Sequence, residues 1–150
     1  MAIDRSAGTE IIRTAFFENV PGTGARDLII GVQYHIYTVL SIVIYAESIN
    51  STADTVQIRL LGYDSYGGTS AQDIRLMKRS VQAFETFVWN DKFSFNGFEP
   101  VNFTGPMDDA TKQDAIADQG SSVAQKLKFV ASNASSTYHI TVTFIDQNNA

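Results

Sequence analysis

Apolar and polar residues alternate with a period of two along much of this chain. Val56, Ile58 and Leu60 alternate with Gln57 and Arg59. Leu127, Phe129 and Ala131 alternate with Lys126 and Lys128, and Tyr138, Ile140, Val142 and Phe144 with His139, Thr141 and Thr143. Successive strand side chains point to opposite faces, so this pattern predicts strands with one face buried and the other in water. Ile74 and Leu76 flank Arg75 in the same way, and Phe84, Thr86 and Val88 oppose Ala83, Glu85, Phe87 and Trp89. Two stretches differ. Leu28-Ile29-Ile30-Gly31-Val32 is a continuous apolar run. Between Ile36 and Tyr45 both parities are apolar: Ile36, Leu40, Ile42 and Ile44 on one, Tyr37, Val39, Val43 and Tyr45 on the other. Such a segment predicts a central strand covered on both sides, or a strand at an interface.

Turn residues separate these runs. Ser48 to Asp54 is a polar cluster, Gly62 closes the Val56–Leu60 run, and Tyr63 to Gln72 reads as a loop around Gly67-Gly68. Asn90-Asp91 offers a turn before Phe93-Ser94-Phe95, and Asn96-Gly97 is a strong turn signal. About eight or nine short strands at this spacing predict an all-β, antiparallel two-sheet sandwich of jelly-roll type. Leu40, Ile42, Ile58, Leu60, Leu127, Phe129, Ile140 and Val142 are its expected core. A long loop or short helix is expected near 106–120, where Asp108 can cap and Gly120 can end a turn or two. Residues 1–26 carry the apolar block Ile11, Ile12, Ala15, Phe16 and Phe17 before Pro21-Gly22-Thr23-Gly24. They read as an N-terminal arm or a first edge strand, followed by a single sandwich domain over 27–150.

Composition sharpens this picture. The 150 residues are 44% hydrophobic but only 18% charged, with ten Phe and six Tyr against one Trp. That balance suits strands and contact surfaces better than a solvated helical bundle. The net charge of −5 and the scattered basic residues lack the basic face of a nucleic-acid binder. With no Cys, disulfides, thiolate nucleophiles and Cys-ligated zinc are excluded. Met1-Ala2-Ile3-Asp4-Arg5 opens no signal-peptide pattern. Ile36 to Ala46 is too short and too polar to span a bilayer, so no membrane partner is expected.

Candidate chemistry is sparse. The two histidines, His35 and His139, both fall within strand patterns and read as structural. Two His without Cys leave a zinc site short of ligands. Asp108, Asp109, Asp114 and Asp118 lack the spacing of a calcium loop. Gly22-Thr23-Gly24 precedes a strand instead of opening a helix, so it is no phosphate cradle. Glu47, Glu85 and Glu99 offer carboxylates, but no spacing singles out a pair. Tyr63, Tyr66, Trp89 and Phe98 near loops could stack on sugar rings. Three Asn-x-Ser/Thr sequons, at Asn50, Asn102 and Asn133, read as turn chemistry. The expectation is a non-enzymatic structural protein with no cofactor and no metal.

The order of features resembles the jelly-roll decoration, or cement, proteins on the outer surface of tailed-phage capsids. Carrying the resemblance are the arm, Tyr37-Thr38-Val39-Leu40-Ser41-Ile42, the polar turn Asn50 to Asp54 and Val56-Gln57-Ile58-Arg59. Phe-x-Gly-Phe-x-Pro at Phe95 to Pro100 and the closing Ile140-Thr141-Val142-Thr143-Phe144 complete it. The resemblance implies a virion location, a homotrimer, a major capsid protein as partner and a capsid-stabilising role. A fibre-tip or receptor-binding jelly roll and a carbohydrate-binding module are the alternatives. Ile11, Ile12, Phe16, Phe17, Tyr37 and Tyr45 are the expected interface residues.

Overall fold

A computed structural model describes residues 9–50, 52–64, 69–99, 110–111 and 123–148. The strands are β1 (Thr9–Pro21), β2 (Ala25–Ile30), β3 (His35–Ser48), β4 (Asp54–Asp64) and β5 (Thr69–Val81). They continue with β6 (Thr86–Trp89), β7 (Phe93–Asn96), β8 (Lys126–Ala131) and β9 (Thr137–Asn148). The chain doubles back at the β4–β5 hairpin, and each earlier strand then finds a later one. β3 pairs with β6 and β7, β2 with β8, and β1 with β9, all antiparallel. Cross-pairing of β3 with β9 and of β4 with β8 completes a five-stranded and a four-stranded sheet. This order, β1-β9-β3-β6 (with β7) against β2-β8-β4-β5, is the jelly-roll sandwich. The expected helix lies outside the described residues except Ala110 and Thr111, which are helical.

The core follows from the alternation. Tyr138, Ile140, Val142 and Phe144 of β9 point inward against Val56, Ile58, Leu127 and Phe129 of the other sheet, all 4% exposed or less. Of the expected core, Leu60 is half-buried against this cluster and Leu40 is half-buried outside it. Leu40 is displaced because it is the extra residue of a β-bulge: Val39 pairs with Phe144 but Ser41 with Thr143. A bulge flips the parity of everything beyond it. Tyr37 and Val39 therefore face the core before Leu40, and Ile42, Ile44 and Ala46 face it afterwards. Tyr37, Val39, Ile42 and Ile44 thus form one inward face read across a bulge, while Val43 and Tyr45 stand half-buried on the outer one.

Several turn expectations are corrected by the same geometry. Gly62 does not close β4, which continues through it to Asp64, and β5 begins at Thr69 within the expected loop. Asn90-Asp91 interrupts an edge strand opposite the Leu40 bulge instead of reversing the chain, since β6 and β7 run on along the same partner. Asn96-Gly97 is no hairpin turn. Gly97 lies against the backbone of Gly31 and Val32, and its carbonyl accepts from the Gln125 N–H at 2.8 Å. Of the two readings of residues 1–26, Thr9–Pro21 is the edge strand: β1 lies at the edge of the five-stranded sheet, in register with β9 from Thr9 opposite Asn148 to Pro21 opposite Thr137.

Candidate functional site

The outer faces of the two sheets differ sharply. On the four-stranded sheet, Arg59 Nη1 lies 2.7 Å from Asp73 Oδ2, Lys128 lies 3.9 Å from the same carboxylate, and Lys126 lies 3.9 Å from Asp27. That face is a lattice of weak surface ion pairs.

The five-stranded sheet presents side chains of another kind. Its register sets Ile12, Ile145, Thr38 and Ser94 side by side, then Thr14, Thr143 and Ser41, then Phe16, Thr141, Val43 and Val88. No charged residue stands in these three rows. Ile12, Phe16 and Val88 are 70%, 60% and 52% exposed. At the end of the face His139 lies between two rings, its centroid 6.1 Å from Phe16 and 6.0 Å from Tyr45, with both pairs nearly parallel. The Asn19 N–H donates to His139 Nδ1 at 3.3 Å, and Nε2 lies 3.6 Å from Glu47 Oε2. Asn19 can do this because the bulge between Phe17 and Val20 carries it into a left-handed conformation, φ 53°.

A second feature lies between the sheets, where edge strands β1 and β2 face one another. A cavity of about 430 Å³ opens there, walled by apolar residues including Ala15, Leu28, Ile29 and Phe144. Arg13, His35, Tyr37 and Asp146 contribute its polar atoms. Asp146, 3% exposed, holds His35 Nδ1 at 2.7 Å with one oxygen and Arg13 Nη1 at 3.1 Å with the other. The Tyr37 hydroxyl accepts the Val32 N–H at 3.1 Å. Burial first, and the nearby Asp146 charge second, push the Tyr37 phenol up from its ordinary pKa, so it stays protonated. The Arg13 guanidinium also lies 5.4 Å over the Phe144 ring.

At the opposite end of β9 a third polar group is fully enclosed. Asp54 receives hydrogen bonds from the Tyr138 and Ser132 hydroxyls and, at 2.8 Å, from the Thr55 N–H. Burial works to raise its pKa, but the hydrogen bonds from Ser132, Tyr138, Thr55 and Ser136 together outweigh it and hold the carboxyl below the usual range. The cluster ties the start of β4 to the β8–β9 turn.

No protein-family model and no curated protein matches the chain. Among solved structures, one similar chain comes from work on Bacillus endospore appendages, described as forming a novel family of disulfide-linked pili. It is 8% identical, with 100% of this chain and 97% of that one covered, at a TM-score of 0.45.

The six expected interface residues separate by parity. Ile12 and Phe16 stand on the outer face and Tyr45 is half-buried there, in ring contact with His139. Ile11 has inward parity at the sheet edge and is 36% exposed. Phe17 packs on the core beneath the Arg26 guanidinium, 5.4 Å above its ring. Tyr37 is corrected outright: at 2% exposure it belongs to the core and the cavity floor. Sequence reasoning missed Asp146, although it stands on the buried parity of β9, where a carboxylate needs partners. It also took His35 as an ordinary strand residue. Among the described residues no group of three or more His, Asp or Glu is placed to hold a metal ion.

Proposed function

We propose that this chain is a non-enzymatic structural subunit that stabilises a phage capsid by seating its five-stranded sheet on the outer surface of the shell. The observation that carries the reading is the contrast between the two outer faces, one laced with ion pairs and the other uncharged through three rows of side chains. A face that leaves Ile12, Phe16 and Val88 mostly exposed gains by being covered. Full burial of each such side chain contributes about 1.5–3 kcal/mol. Hydroxyls of Thr14, Ser41, Thr141 and Thr143 between them give a partner hydrogen bonds without the desolvation penalty of charges. Among the described residues β1 is the edge strand of its sheet, and that edge offers a further contact between neighbouring copies, in keeping with a trimer.

Sedimentation equilibrium of the purified chain, with immunogold labelling of phage particles from the source of the gene, tests this. The expected result is a trimer and label spaced over the outer surface of the shell. Label on the tail alone favours the fibre-tip alternative. A monomer at every concentration together with unlabelled particles overturns the proposal.

A further inference from the structure

The cavity between β1 and β2 is a built site that the contact role does not use. Its volume of about 430 Å³ lies within the roughly 300–1,000 Å³ of small-molecule pockets. What it would take follows from which hydrogen-bonding capacity is already spent. Both oxygens of Asp146 are engaged, one by His35 and one by Arg13. The Tyr37 oxygen accepts from Val32, so its own proton remains to be donated. Of the Arg13 guanidinium only Nη1 is held among the described residues, and the side chain is 54% exposed. The cavity therefore offers the Tyr37 and Arg13 donors, while each Asp146 oxygen already accepts one bond.

We propose that this cavity binds a small aliphatic monocarboxylate, its oxygens taken by Arg13 and the Tyr37 hydroxyl and its hydrocarbon body laid against Leu28, Ile29 and Phe144. Charge-assisted hydrogen bonds to a carboxylate are about twice as strong as neutral ones, which favours an acid over the matching alcohol. An ammonium meets the Arg13 charge, and both Asp146 oxygens already accept from His35 and Arg13. A dianion such as phosphate meets the Asp146 charge within the same cluster, and Arg13 alone does not offset it. Ile30 and Val32, 58% and 51% exposed, belong to the cavity wall and give the hydrocarbon body apolar surface at its mouth.

The test is an NMR titration of the full chain with hexanoate, hexanol, hexylamine and inorganic phosphate. Hexanoate is expected to give saturable shifts confined to amides near residues 13–15, 28–37 and 144–146, with hexanol weaker and the other two inert. Tyr37→Phe keeps the ring and is expected to weaken hexanoate binding about three- to tenfold, the effect of one hydrogen bond, and hexanol by less. Arg13→Gln, at a more exposed position, is expected to weaken hexanoate at least as much. The proposal is overturned if hexanoate gives no saturable shifts up to about 20 mM, weaker than any specific site of this kind. It is equally overturned if hexanol or hexylamine binds as tightly as hexanoate, or if both variants bind hexanoate like the parent chain.

Discussion

Gly31 and Gly97 lie backbone against backbone: a Cβ built on Gly31 would sit 2.0 Å from the Gly97 carbonyl oxygen. One built on Gly97 would sit 1.8 Å from the Val32 oxygen. The contact closes one end of the sandwich, where Gln125 accepts from the Gly31 N–H and donates to the Gly97 carbonyl, each at 2.8 Å. Ala at either position has to push main chain apart. Gly97→Ala is expected to lower stability in urea by about 1–3 kcal/mol or more. Gly24 is the control, because it has φ +68° but open space around it. Gly24→Ala carries only the left-handed cost of about 1–2 kcal/mol. Equal losses at Gly24 and Gly97 count against close approach as the reason for Gly97.

Phe84 sits in the turn before β6 with φ 65° and 74% exposure, an unusual conformation for a bulky residue. Its N–H donates to the Ala46 carbonyl at 2.7 Å, which holds the turn in place. Phe84→Gly keeps that hydrogen bond and removes the strain. The expected outcome is a gain of about 0.5–1 kcal/mol in thermal or urea unfolding, after glycine's extra unfolded-state entropy is deducted. A loss of stability means that the ring itself makes a stabilising contact.

Asp54 makes stability depend on acid. Its folded-state pKa is depressed, so the unfolded chain takes up the proton first as pH falls, and the folded state loses its advantage. The contribution is fully present above about pH 4, the unfolded value, and is lost as pH falls through the lower folded value. Tyr138 works from the other side: burial and then its bond to Asp54 raise its pKa, so its contribution is lost as pH rises above about 10. Asp54→Asn is expected to cost about 1–3 kcal/mol at neutral pH and to flatten the acid limb of the stability profile. Tyr138→Phe is expected to flatten the alkaline limb. Unfolding midpoints measured from pH 2 to 11 check both signs.

Phe16→Glu places a charge in the uncharged face, on its edge strand. It should leave monomer stability within about 1 kcal/mol, as substitutions of exposed side chains do. Association with phage shells is expected to be lost by cosedimentation. Arg59→Glu on the opposite face is the comparison, and it should leave association intact. If both variants associate like the parent, the five-stranded sheet is not the contact face.

The legible parts of the sequence were those where strict alternation matches the pleat. β9 reads directly from Tyr138, Ile140, Val142 and Phe144, and the first half of β4 from Val56 and Ile58, because neither stretch contains a bulge. β3 was misread at Tyr37 because one extra residue, Leu40, changes the parity without leaving a compositional mark. Gly97 looked like a turn residue, since a glycine required for close approach and one required for a turn are the same letter. The cavity was out of reach for a different reason. Arg13 and His35 stand 133 and 111 residues from Asp146, and only strand pairing brings them together.

The pairing of β1 with β9 also sets the order in which the molecule can be made. Every hydrogen bond that β1 forms within its sheet waits for the last strand, so a growing chain carries Ile11, Ile12, Phe16 and Phe17 unpartnered through the synthesis of the strands between. Non-local pairing of this kind places jelly rolls among the slow folders, on the order of milliseconds to seconds. During that interval a long apolar edge strand is open to any other strand in reach. Yield on refolding is therefore expected to fall with protein concentration, and a short peptide with the β9 sequence, added in excess, to trap the chain with β1 occupied.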